Sequence, residues 1–398
     1  MKKKILLGMG SYVDIEEKLY FAANNVPAFF QYDKVSEQME LLPIKERKRG
    51  GNMKYLSTCR FHDKIVFLPY NASEVVIYDC RDRKTKRIYL KDECPESKQL
   101  YKHYLQAVSY SDFIYCIGWS DAELLCIDMR TEKVSVVDTW KSAIAADLGS
   151  KAFVGMHAYG VYAADGILWG PIDAKNRILE LNLQTKEATV HKVEAADMKF
   201  STICFDGSDF WLTGDKQIIV KWNRDTKKAE VIDRFPEGFV KSSKLEADFF
   251  CRSYYEAGYL YLFPLYANMA LKVNIQTYQA EIFCQWDVPV SCDTMQKWDR
   301  ETFYVECYRE GSVKLDYSMI IGLDGIIRDT DIFEIDTEQI NWSEYFGDDG
   351  IYHEDLIITL EEFIDKKVCK KEQYHDGVYE TCGEKIYLEG KNARREEL

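Results

Sequence analysis

The sequence predicts an all-β fold built from a repeated unit, and three observations support this prediction. Short runs rich in Ile, Val, Tyr, Phe and Trp recur along the 398 residues, bounded by Gly, Asp, Asn and Ser, which is typical of strands separated by turns. One run in each unit ends on an Asp or Asn that precedes a turn. The helical period is absent from these runs.

The Asp and Asn residues that end these runs are called the turn anchors. Most are followed three residues later by Ser or Thr, as Asp33 is by Ser36. Such a side chain accepts backbone N–H groups just ahead of it, so each anchor tightens a turn between two antiparallel strands. The anchors are 41 to 54 residues apart, close to known β repeats of about 40–50 residues. They are Asp33, Asp79, Asp128, Asn182, Asn223, Asn274 and Asp324.

Each unit contains four predicted strands, two before the run with the anchor and one after it. These units resemble β-propeller blades, nearest to kelch-like repeats and also WD40-like, although the paired-glycine signature of a strict kelch repeat and the Trp-Asp dipeptide of WD40 blades are missing. The resemblance covers about residues 1–330 and implies a ring of four-stranded antiparallel blades around a channel. Seven anchors predict a seven-bladed β-propeller. The alternative is eight blades, with the tail as an irregular blade.

The repeat predicts a propeller over residues 1–332 and a C-terminal extension, part helical and part irregular, over residues 333–398. Capping-box spacing at residues 359–362 predicts a helix over about residues 360–371, packed on the propeller. Residues 138–151 predict a short helix between blades, at the longest gap between anchors. Residues 3–9 are expected to form the innermost strand of the first blade; the alternative is a latch on the last blade.

Composition argues against several classes of protein. The formal net charge of −14 disfavours nucleic acid and anionic membranes as partners. No apolar run is long enough for a membrane span, and the first residues lack a clear signal peptide. The twelve cysteines form no C-x-x-C pair, and several lie in predicted strands. Free buried thiols in a reducing compartment are expected, so a cytoplasmic location is predicted.

The loops between the second and third strands of each unit carry aromatic and amide side chains. The propeller resemblance implies that these loops gather around the mouth of the channel. Aromatic faces stack on sugar or peptide surfaces, and Asn and Asp bond polar groups directionally. A binding rim for a carbohydrate-like or peptide ligand is therefore predicted; the alternative is that these residues only form turns. The candidates are Asn25, Tyr70, Asn71, Trp119, Asp121, Asp173, Asn176, Tyr266, Asn268, Tyr308 and Arg309.

Basic residues stand near the starts of the predicted innermost strands. If they face the channel, they favour an anionic or polar ligand; the alternative is a solvated position at the blade edge. The lysines are Lys54, Lys102 and Lys199, and His103, His157 and Arg252 lie at similar positions.

The main function hypothesis is a propeller that binds a small polar ligand, a glycan or a peptide at the channel face. A carbohydrate-active lyase or hydrolase with His157, His103 and Arg252 in catalytic roles is the alternative, and a protein–protein interaction scaffold is the second alternative. No G-x-S-x-G, P-loop or dinucleotide-binding motif is present, and the six histidines lack metal-ligand spacing. No cofactor and no metal is therefore expected.

Overall fold

The structure is a computed structural model. It describes residues 4–26, 28–44, 54–90, 104–118, 124–149, 155–156, 160–195, 197–242, 248–310, 312 and 314–336. The chain divides into two compact units, one of Met1–Lys45 with Asn52–Asn341 and one of Glu46–Gly51 with Trp342–Leu398. All described residues belong to the first unit. The helix predicted over residues 360–371 and the predicted eighth blade lie outside the described residues.

Five antiparallel sheets, each of four consecutive strands, form the first five blades. They confirm an all-β propeller with four-stranded antiparallel blades. Strand β1 (Lys4–Leu6) is not part of them. The blades are β2 (Met9–Ile15), β3 (Lys18–Ala23), β4 (Phe29–Asp33) and β5 (Gln38–Leu41); β6 (Tyr55–Phe61), β7 (Lys64–Pro69), β8 (Glu74–Asp79) and β9 (Lys84–Tyr89); β10 (Tyr104–Tyr110), β11 (Phe113–Gly118), β12 (Leu124–Asp128) and β13 (Lys133–Val137); β14 (Tyr162–Ala164), β15 (Ile167–Pro171), β16 (Arg177–Asn182) and β17 (Ala188–Lys192); β18 (Phe200–Phe205), β19 (Phe210–Gly214), β20 (Ile219–Trp222) and β21 (Ala229–Ile232).

The next six strands form a single six-stranded sheet. The predicted count of seven blades is therefore wrong for the described residues, which form six. The predicted sixth and seventh blades are joined because β24, a strand of 18 residues, runs across their boundary and stays paired with the 16-residue β23 through register shifts. The strands are β22 (Phe250–Glu256), β23 (Tyr259–Asn274), β24 (Ala280–Lys297), β25 (Thr302–Arg309), β26 (Tyr317–Gly322) and β27 (Ile327–Thr330).

The two ends of the described chain close the ring. β28 (Glu334–Asp336) pairs with β1, so the expectation that residues 3–9 form the innermost strand of the first blade is wrong; β2 takes that place. Pairing with each other satisfies the backbone groups of both short strands. Phe333 is fully buried beside them. Its ring centroid lies 5.1 Å from that of Phe21 in the first blade and 5.2 Å from that of Tyr304 in the six-stranded sheet.

The turn anchors form the predicted turns. Asp128 Oδ1 accepts the backbone N–H groups of Arg130 and Thr131 at 2.9 and 3.2 Å. Four residues after this anchor, Glu132 takes a positive φ of 57°, which completes a compact bulged hairpin turn. The same pair of bonds is found at Asp33, Asp79, Asn182 and Asn274.

Among the described residues, α1 (Thr139–Leu148) is the α-helix between blades, inside the predicted range of residues 138–151. It is held by Trp140, whose Nε1–H donates to the Val137 carbonyl at 2.8 Å. Trp140 and Ile144 are its buried side chains. No helix in the described part of the chain has the length and apolar character needed to cross a membrane.

The nine described cysteines are free thiols, and seven of them are buried. Burial raises the pKa of Cys59 to about 12 and that of Cys126 to about 11. Thiols held protonated in this way are poor nucleophiles. The expectation of free buried thiols is confirmed for these nine residues, and the cytoplasmic location stays a prediction.

Candidate functional site

The innermost strands of the blades surround a cavity of about 530 Å³. Segments of β2, β6, β10, β18 and β22, the C-terminal end of β24, and Gly160 with Val161 line it. The six-stranded sheet therefore contributes two lining segments. Hydroxyl, amide and charged side chains make up most of the lining, as in Ser11, Gln106 and Arg252. A cavity of this size is in the range of small-ligand sites.

Six of these lining strands carry a β-bulge at the same level. The pairing register shifts between Met9 and Tyr12, Tyr55 and Ser57, Tyr104 and Gln106, Phe200 and Thr202, Phe250 and Arg252, and Ser291 and Thr294. A bulge bends its strand and redirects the side chains around it. The residue two positions after the start of each shift is polar, and we call these residues the bulge-level polar set. They are Ser11, Ser57, Gln106, Thr202, Arg252 and Asp293.

Asp293 and Arg252 are the charged members of the bulge-level polar set. The Ser291 hydroxyl donates to Asp293 Oδ1. Burial raises the pKa of Asp293, while the bond from Ser291 and the charge of Arg252 oppose that rise. The Cys251 thiol lies 3.2 Å from the carbonyl oxygens of both Cys292 and Pro264, so the residue before Arg252 contacts the residue before Asp293. No ion pair to the Asp293 carboxylate is found among the described residues, and its side chain is partly exposed.

Three tyrosines from two sheets lie within electrostatic reach of Asp293. Tyr308 lies opposite Ser291 across the sheet, and Tyr266 lies at the register shift on the other side of β24. Tyr70 follows the second strand of the second blade. Burial is the largest cause of the raised pKa of each phenol, and the negative charge of Asp293 contributes to each. Asp293, Arg252 and these three tyrosines are called the mouth cluster.

Tyr266 adopts a strained backbone conformation. Its φ is +62°, a region that large side chains rarely occupy. It is the extra residue between Leu265 and Ala267, and its carbonyl accepts the Ser242 N–H at 2.8 Å. Strain in a bulky residue persists where the surroundings fix it, and it is concentrated at functional sites.

A second acidic side chain, Glu306, is fully buried next to the mouth cluster. Its Oε1 accepts the Met9 N–H at 2.6 Å and the Tyr304 hydroxyl at 3.0 Å, and its Oε2 accepts the Tyr308 hydroxyl at 2.7 Å. The Asn24 amide donates to Tyr308 Oη at 3.0 Å. Burial raises the Glu306 pKa to about 7 although these donors lower it. The network joins the first blade to the six-stranded sheet and orients Tyr308.

The amide residues predicted for the rim hold the backbone of their loops. The side-chain amides of Asn25 and Asn268 donate to backbone carbonyls 2.8 and 3.0 Å away. Asn176 Oδ1 accepts a backbone N–H at 3.1 Å. The backbone N–H of Asn71 donates to the Lys54 carbonyl at 3.2 Å. The three side-chain bonds reach segments 19, 30 and 22 residues away in the chain, so these amides tie their loops to neighbouring segments.

The predicted charged residues are spread over separate contacts. Lys199 Nζ lies 2.6 Å from Asp173 Oδ1, so the two charges compensate each other. Arg309 Nε donates to Asp316 Oδ2 at 2.7 Å. Lys54 is only 6% exposed. A cationic surface built from Lys54 and Lys199 therefore has little support in the described residues.

Five further candidates lie outside the described residues: Trp119, Asp121, Lys102, His103 and His157. Their roles stay predictions. In the part of the chain that the structure describes, no group of three or more His, Cys, Asp or Glu is placed to hold a metal ion. Of the three catalytic candidates, Arg252 alone is described, and it belongs to the mouth cluster.

Sequence reasoning missed Asp293 and Glu306. Asp293 carries a signal, because polar residues recur two positions into the aligned innermost strands, as in Ser57, Gln106 and Arg252. That alignment becomes visible once the bulges are known. Glu306 carries no local signal, since its burial depends on Met9, which is 297 residues away in the chain.

Several solved structures resemble this chain. YCF48 from Cyanidioschyzon merolae superposes with a TM-score of 0.56 at 9% identity, covering 77% of this chain and 96% of that chain. YCF48 bound to D1 peptide gives 0.54 at 8% identity, with 77% and 93% covered. The computationally designed Ika8 protein gives 0.54 at 8% identity, with 83% and 88% covered. No protein-family model and no curated protein matches the chain. At identities this low, the similarity supports the fold alone. The chain is a β-propeller.

Proposed function

We propose that this chain is a binding propeller that takes a polar ligand, a peptide segment of a partner protein, at the mouth cluster. The observation that carries the proposal is the position of Tyr266 and Tyr308 on the two sides of β24 next to Asp293, with Tyr70 and Arg252 within its electrostatic reach. These side chains come from two sheets, so the fold brings them together over long distances in the chain. Aromatic faces and directional charged groups together are what peptide-binding sites use.

The chemistry of the mouth cluster supports binding. Tyr70 and Tyr266 are partly exposed, and tyrosine, which presents an apolar face and a hydroxyl at small entropic cost, is a common anchor residue. The Tyr308 hydroxyl is already bonded to Glu306 and Asn24. The cavity of about 530 Å³ shares Arg252 with the mouth cluster, and most of its lining residues have hydroxyl, amide or charged side chains. A polar lining of this kind suits a polar ligand.

YCF48, which has the same fold, has been solved bound to D1 peptide, and this supports a peptide for the ligand class. A carbohydrate remains the competing ligand, because tyrosine faces also stack on sugar rings. The enzyme alternative depends on His103 and His157, outside the described residues. The cytoplasm is the proposed location.

The proposal is tested by screening pools of capped peptides and, separately, sugars and sugar acids by thermal shift, with binding then measured by calorimetry. Bound ligand raises the melting temperature of the wild-type protein. Tyr266→Ala is expected to weaken binding of the ligand identified in the screen by about tenfold or more. Tyr70→Ala is expected to act in the same direction.

Tyr278 provides a matched control. It also has a positive φ, 59°, but it belongs to the outer turn after Asn274. Tyr278→Ala is expected to leave affinity unchanged. Unchanged affinity in both mouth variants would contradict the proposal, and a hit confined to sugars would reject the peptide in favour of a carbohydrate ligand.

A further inference from the structure

We propose that the ligand presents a cationic group, the side chain of a peptide Lys or Arg, to Asp293. This inference rests on the proposed function of the mouth cluster and names the chemistry that the cluster selects. Three features carry it: the placement of Asp293 on its bulge, the tyrosines on the two sides of β24 beside it, and the position of Arg252.

The bulge of β24 turns Asp293 away from ordinary strand pairing. Register pairs are found at Ser291 with Tyr308 and at Thr294 with Glu306, and Asp293 lies between them without a paired residue. Its described hydrogen bond comes from Ser291, which occupies one oxygen. A carboxylate that is partly removed from water gains strongly from a charged donor. The second oxygen of Asp293 is placed to accept such a donor from the ligand.

The three tyrosines suit a cation. Tyr266 and Tyr308 lie on the two sides of β24 at Ser291, two residues before Asp293, and the charge of Asp293 also acts on Tyr70. The Tyr308 ring is oriented through its bonds to Glu306 and Asn24. Ammonium and guanidinium groups are attracted to aromatic faces, and more strongly where water is excluded. The partial exposure of Tyr70 and Tyr266 leaves part of each side chain within reach of a ligand. An anionic ligand group at this point would meet the carboxylate instead.

Replacing Arg252 tests the inference, because the inference predicts the direction in which affinity changes. The residue before Arg252 contacts the residue before Asp293, with Cys251 Sγ 3.2 Å from the Cys292 carbonyl oxygen, and the charge of Arg252 acts on Asp293. Its positive charge therefore also repels a cation placed at Asp293. Removing this charge is expected to strengthen binding of a cationic peptide. Removing the charge of Asp293 is expected to weaken it. A cluster that acted only by shape would not respond with opposite signs to these two changes.

The experiment uses the full chain and three capped pentapeptides of the form Gly-Gly-X-Gly-Gly, where X is Lys, norleucine or Glu, measured by calorimetry. The Lys peptide is expected to bind about tenfold or more tightly than either other peptide. Asp293→Asn is expected to remove this preference, and Arg252→Gln is expected to increase affinity for the Lys peptide. Asp329→Asn, an equal change of net charge on the exposed outer strand β27, is the control and is expected to change nothing.

Equal binding of the Lys and norleucine peptides to the wild-type protein would overturn the inference, and so would equal losses in Asp293→Asn and Asp329→Asn. The peptide comparison decides by itself if a variant fails to fold. Failure of the proposed function looks different. If the proposed function is wrong, no peptide of any charge binds, or Tyr266→Ala does not change binding. If only this inference is wrong, peptides still bind and Tyr266→Ala weakens binding, but affinity does not depend on the charge of the peptide.

Discussion

The outer turns and the region around the channel mouth both use acidic side chains, with opposite consequences. In the turn at Asp128, the N–H groups of Arg130 and Thr131 hold the pKa of the carboxyl group below its usual value. Around the mouth, burial raises the pKa of Asp293 and Glu306. A carboxylate that accepts hydrogen bonds from its own turn stabilises that turn. A carboxyl group that the fold withdraws from water serves contacts between blades or contacts with a ligand.

The largest expected effect comes from removing the buried carboxyl group. Glu306→Ala leaves the Met9 N–H and the hydroxyls of Tyr304 and Tyr308 without their acceptor. Each buried group left unsatisfied costs about 1–3 kcal/mol, so a loss of about 4 kcal/mol or more in the free energy of unfolding is expected. Urea unfolding at neutral pH measures it. A loss below about 1 kcal/mol would mean that the network does not hold the first blade to the six-stranded sheet.

The next effect is a pH dependence of stability. The folded pKa of Glu306 is about 7, above the ordinary value of 4.5, so the folded state holds the proton more tightly. The stabilisation that this tighter proton binding adds to the free energy of unfolding is fully present below pH 4.5 and is lost as the pH rises through 7. Glu306→Gln does not titrate. Between pH 5 and 7 the wild-type protein should lose on the order of 2 kcal/mol relative to this variant.

Unfolding curves of both proteins across that pH range test this sign. A wild-type stability that rises relative to Glu306→Gln over the same range would contradict a raised pKa. Such a result would mean that hydrogen bonds stabilise the charged form of Glu306, as they do for Asp128.

The smallest expected effect is in an outer turn. Asn274 Oδ1 accepts the N–H groups of Gln276 and Thr277 at 2.9 and 3.0 Å. These groups are open to water, so Asn274→Ala should cost only about 1 kcal/mol of unfolding free energy. Ligand affinity should stay at the wild-type value, because the turn lies outside the mouth cluster. If Asn274→Ala stayed folded but lost ligand binding, the outer turns could not be treated as separate in function from the mouth cluster.

The sequence could predict features whose causes are local. The all-β class follows from short runs of strand-forming residues, and the turn at Asp128 follows from a side chain that bonds N–H groups two and three residues away. Helix α1 and the free thiols were likewise predicted. Tyr70, Tyr266 and Tyr308 were predicted for one rim because loops of the blades meet around a common axis, and their role in binding stays a prediction.

Only the tertiary structure decided the rest. The fusion of two predicted blades depends on β23 and β24 staying paired across register shifts, which a repeat spacing does not encode. Ring closure through β1 and β28 joins residues more than 300 positions apart. Asp293 owes its raised pKa and Glu306 its buried bonds to groups from distant segments. Side-chain type and turn chemistry act over a few residues and can be read along the chain; burial and long-range pairing exist only when the ring has closed.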